Sequence, residues 1–108
     1  MRVVEFRRLL DDKNAARVRF ELERNRVRKF VVQLECRFND EWIPTVRYDT
    51  AHNVAHRDVL RPSGETEKTT MAIQDYNAAL TFALKDLTDN WEQYRRRYAQ
   101  WLEQQNKE

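Results

Sequence analysis

The hydrophobic period of this chain changes once, near Thr70, and that change decides most of what the chain can fold into. Before it, residues 16–23 alternate strictly. Ala16, Val18, Phe20 and Leu22 take one side, and Arg17, Arg19, Glu21 and Glu23 the other. Period two of this kind marks an antiparallel strand with one dry face. Residues 27–38 resume the alternation through Phe30, Val32, Leu34, Cys36 and Phe38. The polar residues 23–26 between the two runs predict a hairpin, with Asn25 suited to a left-handed turn. Shorter runs at 3–10, 42–48 and 56–62 read as further strands, and Pro44 fits an edge or a strand start. The only glycine, Gly64, lies in 62–68, where the pattern breaks.

After the change, Ile73, Tyr76, Leu80, Leu84, Leu87, Trp91, Tyr94, Tyr98 and Trp101 recur at spacings of three and four, the stripe of one helix face. Thr69 or Thr70 would cap its start. An unbroken helix over 70–104 would be ~52 Å long from the helical rise, against about 30 Å for a compact domain of this size. Two outcomes follow. Either the helix breaks near 88–90, where Asp89 and Glu92 have capping-box spacing, or its end projects. In the second case Trp91, Tyr94, Tyr98 and Trp101 form a partner interface; the alternative is that the stripe covers the sheet. The expected architecture is α+β: one domain over 1–108, with a four- or five-stranded, mainly antiparallel sheet in 1–61 and a long C-terminal helix or helix pair in 70–105.

Charge is distributed unevenly. Residues 1–61 hold fourteen Lys and Arg against ten Asp and Glu; residues 62–108 hold six against eight. Fifteen of the twenty basic residues are arginine, which grips phosphate in a two-pronged way that lysine cannot copy. The basic tip at 24–29 is a further phosphate candidate. Arg95, Arg96 and Arg97 fan around their helix, so the sequence places them in solvent or beside Glu92 and Glu103. With one cysteine, Cys36, there is no internal disulfide, and the residue reads as a small buried hydrophobe. No apolar run reaches membrane-spanning length and no secretion signal is visible, so a cytoplasmic location and no membrane contact are expected.

Both histidines fall in residues 47–58, with Arg47, Tyr48, Asp49, Arg57 and Asp58 around them. His52 and His56 have the spacing of a zinc-protease helix, but Asn53 stands where the glutamate base would be, and the context is strand, turn, strand. A third ligand would have to be Asp49 or Asp58, so no metal and no cofactor are expected. Acid–base chemistry fits the inventory better. On a strand, His56 and Asp58 share a face, and so do Arg47 and Asp49. Metal-free RNA cleavage needs a base for the 2′-hydroxyl, an acid for the leaving oxygen and a cation on the phosphate. In that reading His56, oriented by Asp58, and His52 handle protons, Arg47 and Arg57 hold phosphate, and Tyr48 assists. In the structural reading Asp49 caps a turn, Tyr48 packs, and the histidines are satisfied polar groups.

The order strand, hairpin, strand ending in Tyr48-Asp49, histidine loop, His56-Arg57-Asp58 and final helix resembles the small TumE-type toxins of bacterial and archaeal toxin–antitoxin pairs. The family's Tyr-Asp pair falls on Tyr48 and Asp49, and its following polar segment on His56 and Arg57. Asp58 stands where the family tends to carry a second histidine, and residues 53–55 are more apolar than its loop. The resemblance implies an RNA-directed toxin neutralised by a separate antitoxin protein, a helix-turn-helix DNA binder. The contrasting expectation is a non-enzymatic interaction module, an adaptor or mobile-element accessory protein, that forms a homodimer or binds a partner through the C-terminal helix.

Overall fold

A computed structural model describes residues 1–107. The chain forms six strands and one helix in the order β1 (Arg2–Asp11), β2 (Asn14–Glu23), β3 (Arg26–Phe38), β4 (Glu41–Asp49), β5 (His56–Leu60), β6 (Thr66–Thr70) and α1 (Tyr76–Asn106), with one 3₁₀ turn at Ala51–Asn53. The strands make a single antiparallel meander, each paired with its neighbour in sequence. Two hairpins close through consecutive left-handed residues, Arg24-Asn25 and Asn39-Asp40. Such turns match the right-handed twist of the strands they join.

The strand count is six, not four or five. The additional strand, β6, pairs His56 with Thr70 and Leu60 with Thr66. All five of its residues are exposed, and Thr-Glu-Lys-Thr-Thr contains no apolar residue to alternate. Edge strands often carry such polar sequences. Thr69 and Thr70 therefore belong to the sheet. The helix cap is Asp75, whose carboxylate accepts from the Ala78 amide at 3.2 Å.

The helix runs unbroken through residues 88–90. Those polar residues are satisfied inside it. Thr88 donates to the Leu84 carbonyl, Lys85 pairs with Asp89 at 2.7 Å, and Asn90 donates to Asp86. Nor does the helix overhang a small globule. At about 46 Å it lies along β3, whose thirteen residues extend about 43 Å. Asn77 accepts from the Val27 amide at one end of that strand, and Tyr98 stacks on Phe38 at the other, 5.6 Å between ring centres. The molecule is accordingly elongated, 51 × 27 × 20 Å.

The core lies between α1 and one face of the sheet. Val18, Phe30, Val32, Leu34, Cys36, Val46 and Tyr48 meet Ala79, Leu80, Ala83 and Leu87. Small Ala79 and Ala83 let the helix approach closely. Leu87 is fully buried, so its truncation to alanine would cost about 2–5 kcal/mol. Tyr98 is buried, and Trp91 and Tyr94 pack against the core. Arg61 and Arg97 lie over the half-buried Trp101 ring. The aromatic stripe faces the sheet. Arg95 is neither solvated nor paired with Glu92 or Glu103. It donates to the Asn14 side chain and to the Lys13 and Arg37 carbonyls, and it stacks over Phe38.

Candidate functional site

Residues 47–58 are divided by the sheet. Because side chains alternate across a strand, Tyr48 and its cross-strand partner Arg57 face the helix, while Arg47, Asp49, His56 and Asp58 lie on the helix-free face. The predicted same-face pairs are present. Tyr48 and Arg57 are on the other side of the backbone from both histidines.

On the open face, His56 is held from two directions. Its Nδ1 lies 3.0 Å from the Val54 carbonyl, and its Nε2 lies 2.8 Å from Asp49 Oδ1 and 3.7 Å from Asp58 Oδ2. Both ring nitrogens thus meet groups that only accept. A cation between imidazole and carboxylates would satisfy that arrangement. Asp49, His56 and Asp58 each offer a ligand atom within 4.8 Å of the others, so they are the residues that could hold a divalent ion. His56 is 4% exposed and Asp58 8%, and Asp58 Oδ1 has no hydrogen-bond partner.

His52 lies elsewhere. It sits in the turn after β4, exposed, with φ 62° and ψ 27°. Left-handed backbone at a non-glycine residue is uncommon and is tolerated best by Asn, Asp and His. Asn53 follows in the same region, at φ 63°. Asp49 Oδ1 fixes this turn by accepting from the Ala51 amide at 3.1 Å, and Thr50 ties it to β3 by accepting from the Phe30 amide. An open cleft of about 360 Å³ is lined by Arg19, Lys29, Val31, Asp49, Thr50 and His52, among others. Asp49 therefore connects the cleft to buried His56. Arg47 is turned away from it, its Nε donating to Gln33 at 2.9 Å.

The cations in the cleft are Arg19 and Lys29; the sequence reading included Lys29 in the basic tip at 24–29 but did not single out Arg19. The signal was present: both lie on the polar side of the alternating β2–β3 hairpin. A larger cavity, about 770 Å³, lies between the far turns and the end of α1, remote from the histidines. Its Arg95 is committed to the structural contacts described above, and its lining mixes acids and bases without a histidine or cysteine.

The helix side holds a second polar cluster, centred on Asp86. Tyr48 and Tyr94 each donate a hydroxyl to its Oδ2, at 2.7 and 2.6 Å, and Asn90 donates to Oδ1 at 2.9 Å. Arg57 Nη1 donates to the Tyr94 hydroxyl at 3.1 Å. Burial, followed by the bond to Asp86, raises the pKa of both phenols, which stay protonated as donors. Asp86 lies 38 residues from Tyr48, with no local motif to announce it.

Residues 1–104 match a family described as a domain of unknown function, DUF7718. No curated protein and no solved structure matches the chain.

Proposed function

The chain belongs to the DUF7718 family, a domain of unknown function, and we propose that it is a toxin-like protein of a toxin–antitoxin pair that cuts RNA without a metal ion. The observation that carries this reading is the cleft in which exposed His52 meets two cations, Arg19 and Lys29, and the carboxylate of Asp49. Arg19 and Lys29 receive the phosphate. His52 and Asp49 are the proton-handling groups open to substrate. One takes the 2′-hydroxyl proton as the oxygen attacks phosphorus, and the other protonates the departing 5′-oxygen. His56 is buried; through Nε2 it fixes Asp49, and Asp58 flanks it, so both are positioning residues. Tyr48 and Arg57 lie behind the sheet, as structural members of the Asp86 cluster.

The test is induced expression of wild type beside His52→Ala, with purified protein assayed on single-stranded RNA in EDTA. Growth arrest and cleavage in wild type, both lost in His52→Ala, are expected. No cleavage by wild type, or equal cleavage by the variant, overturns the reading. A second reading rests on the Asp49–His56–Asp58 donor set: cleavage abolished by EDTA and restored by a divalent ion would move catalysis to a metal at those residues.

A further inference from the structure

The first strand stands apart from the rest of the sheet. Eight of the ten residues of β1 are exposed and none is buried, and of its apolar residues only Leu10 packs against the core. Its outer edge has no strand partner among the described residues. Yet it carries Val3, Phe6 and Leu9, which are 47%, 36% and 62% exposed. A ten-residue, uncovered edge with apolar side chains is a template for another strand.

The occupant is indicated by charge. We propose that β1 pairs with β1 of a second copy of this chain about a two-fold axis at Phe6, giving a continuous twelve-stranded sheet. An axis normal to the sheet keeps both helices on one side and centres the pairing on a residue. Centred on Phe6, the register sets Glu5 opposite the second copy's Arg7, Val3 opposite Leu9, and Phe6 opposite itself. Nearly the whole strand overlaps, from Arg2 against Leu10 inward. Shifting the centre to Glu5 or Arg7 opposes like charges, Glu5 to Glu5 or Arg7 to Arg7. Glu5 forms no ion pair within the chain among the described residues. Arg7 lies 3.7 Å from Glu35 and over the Trp42 ring, already on the face where the second carboxylate would arrive. The opposite edge, β6, has five residues and no apolar side chain. A head-to-tail β1–β6 contact would also leave edges free at both ends and grow into a filament. The dimer is independent of the RNA reading and stands whether or not RNA is cut.

Sedimentation of the full chain over a concentration series tests it. Wild type is expected to dimerise. Glu5→Arg and Arg7→Glu are each expected to weaken the dimer roughly ten-fold or more, from two opposed pairs per interface. An equimolar mixture of the two variants is expected to form a heterodimer, since one copy then brings only guanidinium groups to both opposed pairs and the other only carboxylates. Unfolding midpoints report that the variants fold. If Arg7→Glu does not fold, Glu5→Arg alone decides, at a side chain with no ion pair to lose. A monomeric wild type, a dimer that Glu5→Arg leaves intact, or an open polymer broken by Thr69→Pro overturns the proposal.

Discussion

Strands β4 and β5 build two polar clusters from adjacent residues, one on each side of the sheet, and the clusters differ in what stands at their centres. Toward the helix, Asp86 receives Tyr48, Tyr94 and Asn90, and Tyr94 in turn receives Arg57. Donors and acceptors nearly balance there, with only Arg57 Nε left over. Toward the open face, one imidazole stands between two carboxylates and a carbonyl, and Asp58 Oδ1 is unpartnered. Each side leaves one buried atom unpartnered, but only the open-face cluster gathers acceptors around an imidazole beside a cleft, which is where chemistry is to be sought. Under the proposed function the tyrosines have a structural duty and the histidine side carries the chemistry.

The assignment can be broken at several points. The largest expected effect is on cleavage: His52→Ala lowers the rate by about 10²–10⁴-fold, the usual worth of a general acid or base, with only a small loss of stability from alanine in the left-handed turn. Next, Asp86→Ala orphans two buried hydroxyls and lowers stability by about 3 kcal/mol, read from denaturant unfolding. Cleavage per folded molecule should hold; if it falls with stability intact, the division between the two faces is wrong. Replacing Arg19 and Lys29 together by alanine should weaken RNA binding and reduce the salt slope by about 1.4 for single strands, from two lost phosphate contacts. Tyr48→Phe removes one donor from Asp86 and costs about 1 kcal/mol. The smallest effect is alkaline. Phenols whose folded pKa is raised contribute stability that is complete below the unfolded value of about 10 and is lost as pH climbs through the folded value. Wild type should therefore weaken above that pH, and the Tyr48→Phe, Tyr94→Phe variant less steeply. Tyr98, also raised by burial, keeps part of the slope.

Much of this was legible in the sequence. The alternation of β2 and β3 and the three-four stripe of α1 follow from burial of one face, and burial leaves its record in residue type. Strand β6 left none, because a polar edge strand is held by backbone hydrogen bonds that side chains do not reveal. The apparent break at 88–90 misled because Thr88, Asp89 and Asn90 find partners one helical turn back. The molecule is not round, and a thirteen-residue β3 gives the helix a bed of its own length, so a long helix needs no overhang. At the site, strict application of period two separates Tyr48 from Asp49 and Arg57 from His56 without any coordinates. The role of Asp86 depends on a contact across 38 residues and no local pattern contains it.

The alternation in β4 and β5 also sets which genetic lesions the chain can survive. Neighbouring codons there serve opposite sides of one wall. Loss of Arg47 alone would exchange the two clusters at a stroke, moving the Asp49 carboxylate into the core position and the Tyr48 phenol into water. Residues 51–53, exposed and outside the strand ladder, can lengthen or shorten with the wall intact. Variation in length among related chains should therefore gather in that turn, beside His52, where it would reshape the cleft without moving the core.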